Sequence, residues 1–239
     1  MKLGENHPDT LAAMNSLATS YDDQGKYSDA EVLYKQSLDK MKIVLGESHL
    51  STLIAMSNLA GAYRNQSKYS EAEVLYKQCL NKRRALLGAS HPSTLNAMSN
   101  LADNYSNQGK HSDAEVLLKQ CLDKQKALLG ESHPDTIIAM NNLARSYNDQ
   151  GKLIEAGVLL KQCLDKRRAL LGESHPDTLV SMNNLASNCN SQGKYREAEV
   201  LLKQCVDKRK VVLGESHPIT IRTISSLALV VSRIESQEA

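Results

Sequence analysis

The chain has 239 residues, with 29 Lys and Arg against 27 Asp and Glu and a formal net charge of +2. The two signs are interleaved, which argues against a nucleic-acid surface, and the lack of Trp and Phe removes the rings on which bases stack. No stretch is apolar enough for a bilayer and the start MKLGENHPDTL has no signal core, so a cytoplasmic protein with no membrane and no nucleic-acid partner is expected.

Gly4, Gly46, Gly88, Gly130, Gly172 and Gly214 are spaced by 42 residues without insertion or deletion. A fixed period of this length marks a repeat array. The units run 4–45, 46–87, 88–129, 130–171 and 172–213, with a partial sixth at 214–239, and 1–239 is expected to form a single repeat domain.

Each unit opens on a connector, LLGESHPDTL from Leu170 being one copy. Proline suits the first turn of a helix, where its missing donor costs nothing. A serine or histidine can cap that helix, and the acid in its first turn favours the positive end of the dipole. His49, His91, His133, His175 and His217 are therefore read as punctuation, with neither a metal site nor a catalytic residue expected.

The connector leads into two helical stripes. Leu11, Met14, Leu17, Ala18 and Tyr21 form the first; Ala30, Leu33, Tyr34, Leu38, Met41 and Leu45 form the second. Steps of three and four put each set on one helix face. Gly25 between them suits the left-handed residue that closes a helix, so each unit is two helices and a tight turn. A helix pair cannot bury its apolar face alone, and stacked pairs share one core.

Ser28 and Glu31 have the spacing of a capping box for the second helix, with Tyr27 placed to staple onto Val32. Ser70 with Glu73 and Ser112 with Glu115 repeat it. Unit four has Ile154 and Gly157 there, so its second helix is expected to fray most readily.

Other columns carry isolated departures. Ser67 takes the place of the turn glycine in unit two, which puts a side chain in a strained conformation. Leu50 replaces the connector proline and Ala89 the connector glutamate. Cys189 replaces the tyrosine seen at Tyr21, Tyr63, Tyr105 and Tyr147, so the contact there should be thinner. Cys79, Cys121, Cys163 and Cys205 share the column of Ser37 and are read as small buried residues, about one interhelix distance apart and too far for disulfides. The runs Lys82, Arg83, Arg84 and Lys166, Arg167, Arg168 read as a solvated edge near a helix C-terminus. The last helix, from about Pro218, should cap the array, with Leu229, Val230 and Val231 left uncovered; homodimerisation through it is one expectation, a longer natural array another.

The unit MNNLARSYNDQGKLIEAGVLLKQCL from Met140, with Leu143, Ala144, Tyr147, Gly151, Ala156 and Cys163, resembles the tetratricopeptide repeat. Its period and LGESHPDT connector are similar to the 42-residue type of kinesin light chains and nephrocystin-like proteins. The resemblance implies an all-α, right-handed α-solenoid of tandem antiparallel helix pairs, a tetratricopeptide repeat superhelix whose first helices line a concave groove. It also implies a protein-protein interaction scaffold, and main-chain contacts to a bound peptide from Asn58, Asn100, Asn142 and Asn184.

Helical spacing adds neighbours on the same face: Gly61, Asp103, Arg145 and Ser187, then Arg64, Asn65, Asn107, Asn148 and Asn190. An asparagine amide is donor and acceptor at once, so such a row suits the backbone of an extended partner. Arg64 and Arg145 are its main cations, opposed by Asp22, Asp23, Asp103 and Asp149. No nucleophile, base and orienting group converge, and no phosphate loop is present, so a non-enzymatic adaptor without cofactors is expected. A self-associating structural array and the recognition arm of a larger enzyme or signalling protein are the alternatives.

Overall fold

A computed structural model describes residues 4–238, and among them there are eleven α-helices and no strand. The first helices of the units are α1 (Pro8–Asp23), α3 (Leu50–Asn65), α5 (Pro92–Asn107), α7 (Pro134–Asp149) and α9 (Pro176–Ser191). The second helices are α2 (Tyr27–Leu45), α4 (Tyr69–Leu87), α6 (His111–Leu129), α8 (Leu153–Leu171) and α10 (Tyr195–Leu213), and α11 (Pro218–Glu238) stands alone. The chain is all-α, built of tandem helix pairs as expected.

Side-chain bonds fix the pairing. Ser37 donates to the Leu11 carbonyl at 3.0 Å and Tyr34 donates to Thr19 Oγ1 at 2.9 Å; as the chain advances along α2 its partners recede along α1, so the pair is antiparallel. The same carbonyl relation recurs where Cys79, Cys163 and Cys205 donate to Leu53, Ile137 and Leu179. The column is small, as expected, and also a hydrogen-bond donor, which is what serine and cysteine share. Burial pushes the Cys163 thiol up to about 12 and raises the Cys205 thiol, so these two are unreactive thiols rather than nucleophiles.

Contacts group the chain into two compact units, Met1–Cys121 and Leu122–Ala239, the boundary falling inside α6. In the first, Leu11, Ala18, Tyr34, Leu38 and Met41 pack with Leu53, Met56 and Leu59 of the next repeat. In the second, Ala186, Cys189, Ala198 and Leu202 pack with Val230 and Ile234. Two expectations fail here. Leu17 is 48% exposed, because among the described residues no second helix precedes α1 to cover that face, whereas its counterpart Leu59 rests in the cluster that the preceding α2 completes. Val230 is 2% exposed, because α11 turns it onto α9 and α10; only its neighbour Leu229 points out.

The connector acts as punctuation with a defined chemistry. Nδ1 of His7, His49, His91, His133 and His175 accepts from the backbone N–H two residues on, at 3.1 to 3.2 Å, which satisfies an orphan donor of the helix start. Thr52, Thr94, Thr136 and Thr178 each donate to the carbonyl of the connector glycine at 2.8 Å. Glu47 and Glu173 of the connectors bind Lys82 and Lys208, 35 residues on, at 2.8 and 2.7 Å.

The capping box does not form at α2 or α4. α2, α4, α8 and α10 have Lys26, Lys68, Lys152 and Lys194 as N-caps, with no side-chain cap bond. The helix starts at Tyr27, one residue before the serine, so Ser28 lies inside the first turn and Tyr27 does not precede the cap; Val32 is exposed. Glu31 faces the next unit instead. It accepts from Lys35 at 2.6 Å, from Lys68 at 2.7 Å and from Gln66 at 2.9 Å. Unit four lacks this bridge rather than a cap.

The charge run is also corrected. Its middle residue is no solvated cation: Arg83 and Arg209 are buried. Arg83 donates to the Ser93 and Leu53 carbonyls, Arg167 to the Asp177 carbonyl and Ser181 Oγ, and Arg209 to Thr223 Oγ1. A guanidinium can reach across to the next first helix because its long stem lies along apolar surface and its fork serves two acceptors.

Candidate functional site

First helices lie beside one another within each compact unit. Asn65 on α3 donates to both Asp22 carboxylate oxygens on α1, at 3.2 and 3.1 Å. Arg64 pairs with Asp103 on α5 at 3.9 Å. In the second unit Asn188 on α9 donates to Asn148 Oδ1 on α7 at 2.7 Å, and Arg233 on α11 donates to Asn190 Oδ1 at 2.9 Å.

The outward stripe of each first helix is read from exposure. On α3 it runs Ile54, Asn58, Gly61, Asn65; on α5 Asn96, Asn100, Asp103, Asn107; on α7 Ile138, Asn142, Arg145, Asp149; on α9 Val180, Asn184, Ser187, Ser191. These are steps of three and four, the same geometry that buries Leu53, Met56 and Ala60 on the opposite side. Asn58, Asn100, Asn142 and Asn184 are half-buried in the middle of the stripe. Among the described residues none of these four side-chain amides is hydrogen-bonded within the chain.

The other residues of the set differ. Asn65 and Asn148 are held by Asp22 and Asn188, and Arg64 by Asp103. Arg145 is also engaged. Asn107 is exposed at the end of α5. Arg64 is thus spent on a neighbour, while the central amides keep their donors and acceptors open to whatever covers them.

Sequence reasoning passed over the aliphatic residue one turn before Asn58, Asn142 and Asn184. Ile54 and Ile138 are half exposed and Val180 nearly so. Their signal was available: they fall off the buried stripe, where a polar residue is the ordinary choice. Among the described residues no three metal-ligating side chains converge, and no helix is long and apolar enough to cross a membrane.

A profile of the tetratricopeptide repeat matches residues 33–85, 51–127 and 135–210, and a second matches 10–51. The nearly identical TPR-like repeats of a Podosopora anserina protein assigned as a kinesin light chain align at 30% identity and a TM-score of 0.76, covering 87% of this chain and 98% of that one. A point variant of those same repeats aligns at 28% and 0.77, covering 88% and 99%. BtubC (BKLC) from P. vanneervenii shares the fold at 22% identity and 0.71, covering 88% and 83%. Curated proteins give no match to the sequence.

Proposed function

The chain belongs to the tetratricopeptide repeat family, of the kinesin light chain type, a fold of interaction scaffolds, and on that premise we propose that it binds an extended segment of a partner protein along its first-helix faces. Asn58 and Asn100 in the first compact unit, and Asn142 and Asn184 in the second, each hold main chain of a bound segment, the amide meeting a peptide N–H and a carbonyl. Ile54, Ile138 and Val180 beside them receive its apolar side chains. The observation that carries this reading is the half-buried amide column with no partner of its own.

An amide that meets peptide groups alone reads shape and direction rather than sequence, so affinity is spread over several units. The paired state of Arg64 with Asp103 argues for a partner of little net charge on this face. In this reading the chain is a non-enzymatic cytoplasmic adaptor acting as one repeat domain over residues 1–239. Pulldown from extract with wild type and with Asn100→Ala plus Asn142→Ala tests it. Loss of the captured proteins with unchanged Tm is expected; equal capture would remove the amide column from the binding role.

The second reading, self-association, draws on the exposed Leu229 of α11. Light scattering at rising concentration separates the two, since a mass that stays monomeric removes self-association.

A further inference from the structure

Between consecutive second helices the first compact unit repeats one arrangement. The Tyr63 ring lies under Lys35 and Lys68, 5.4 and 5.6 Å from its centre, and Glu31 binds both lysines. One repeat later Tyr105 lies under Lys77 and Lys110 at 5.7 and 5.5 Å, and Glu73 binds both at 2.6 and 2.8 Å. Each contact is therefore a ring held between two cations that a carboxylate ties together, and each of these attractions is stronger for being partly shielded from water.

Between α8 and α10 the two lysines are kept, as Lys161 and Lys194, and the rest is gone. Cys189 stands where the ring would be and Gly157 where the carboxylate would be. Ile154 and Arg196 stand in the column of Ser28, Ser70 and Ser112. All of these residues line one cavity of about 690 Å³, floored by Leu164, Leu185 and Leu201. The equivalent space between α2 and α4, with Tyr63 in place, is about 330 Å³. A missing ring and a missing carboxylate account for part of the difference, and the larger space is of a size that takes a ligand group.

The chain does not close the gap itself. Asn188 and Gln192 lean over Gly157 so far that a Cβ there would stand 2.8 Å from Asn188 Oδ1. Both amides are committed, since each donates to the Leu153 carbonyl and Gln192 also donates to Asn188 Oδ1. The mouth is open, with Val158 and Val200 more than half exposed beside a charged rim in which Lys161, Arg168, Lys194 and Arg196 outnumber Asp165 and Glu197.

We infer that this cavity is a second docking site, which takes from a partner protein an aromatic side chain next to a carboxylate, the two groups this chain omits here. The ring enters over Cys189 between Lys161 and Lys194, as Tyr63 lies between Lys35 and Lys68. The carboxylate then reaches the same two lysines. A single aromatic-acidic dipeptide step spans both, because adjacent side chains of an extended peptide are a few ångströms apart. This site is separate from the first-helix asparagine column, and either can fail without the other.

The test is a titration followed by amide NMR, with acetyl-Glu-Tyr-amide as the probe and acetyl-Gln-Tyr-amide and acetyl-Glu-Ala-amide beside it. The Glu-Tyr probe should shift Val158, Cys189 and Val200. Loss of either group should weaken binding about fivefold, the fold-change of one partly shielded cation contact. Cys189→Tyr should fill the cavity, raise Tm and abolish binding. Val200→Arg blocks the mouth from an exposed position, so it gives the same loss of binding without depending on the core. Binding that survives Val200→Arg, or Glu-Ala binding as well as Glu-Tyr, overturns the proposal. Equal shifts from 4-hydroxyphenylacetate would assign the cavity to a small aromatic acid and also overturn it.

Discussion

Arg83 on α4 donates to the main-chain carbonyl of Ser93 on α5, 3.0 Å away, from a side chain only 8% exposed. A cation from one repeat is thus built into the start of the next. The same column holds Met41, Gln125, Arg167 and Arg209, so length is the common requirement and charge is optional. Arg83→Met should therefore cost under about 1 kcal/mol, and Arg83→Ala about 2 kcal/mol, because it removes both the stem and the donors. Urea midpoints of the two variants check the order; equal losses would contradict it.

Glu31 and Glu73 set an acid limit on stability. For Glu31, burial raises the pKa, but bonds from Lys35, Lys68 and Gln66 outweigh it and hold the carboxyl at about 2. For Glu73, bonds from Lys110 and Lys77 lead and burial opposes, with the same result of about 2. A depressed pKa stabilises fully above the ordinary value of 4.5, and the gain is lost as pH falls toward 2. With the lysines half exposed, the loss is on the order of 1 kcal/mol per carboxylate. Denaturation at pH 6 and pH 3 should show it, and Glu31→Gln with Glu73→Gln should flatten the difference.

Ser67 is the one non-glycine residue at positive φ among the described residues, at 61°. Four other units place Gly25, Gly109, Gly151 and Gly193 there at 73° to 75°. Ser67→Gly should stabilise the chain by roughly 0.5–1 kcal/mol, less strain in the fold outweighing a more flexible unfolded chain. A fall in the denaturation midpoint would sink the prediction.

The start of α8 should open before its counterparts. Gly157 weakens the helix by about 1 kcal/mol and removes the carboxylate that joins α4 to the following unit through Lys110. Amide exchange over residues 157–161 should be faster than over 199–203. Equal protection would mean that the Asn188 and Gln192 amides, both bound to Leu153, replace the bridge.

The period, the two helices of each unit and the turn at Gly25 were legible in the sequence because they rest on local rules: spacing of apolar residues, a left-handed glycine, a proline in the first turn. A cap from the connector serine or histidine was legible on the same ground; the structure uses the histidine, whose Nδ1 accepts the N–H two residues on. The asparagine column was legible as a position, since period alone gives Asn58, Asn100, Asn142 and Asn184 the same place on their respective helices. That those amides are unbonded while Asn65 and Asn148 are held was not, because it depends on which neighbour each helix meets.

What sequence by itself determined is therefore everything that repeats within one unit, because near neighbours along the chain dictate it. Only the tertiary structure decided what happens across the seams. It took Glu31 from a capping box and gave it to Lys68, buried Arg83 in the next repeat, and covered Val230 with α9 and α10. It also brought Ile154, Gly157, Cys189 and Arg196 to a single cavity. These departures are up to 42 residues apart in sequence, and packing of one repeat on the next is the only thing that puts them in one place.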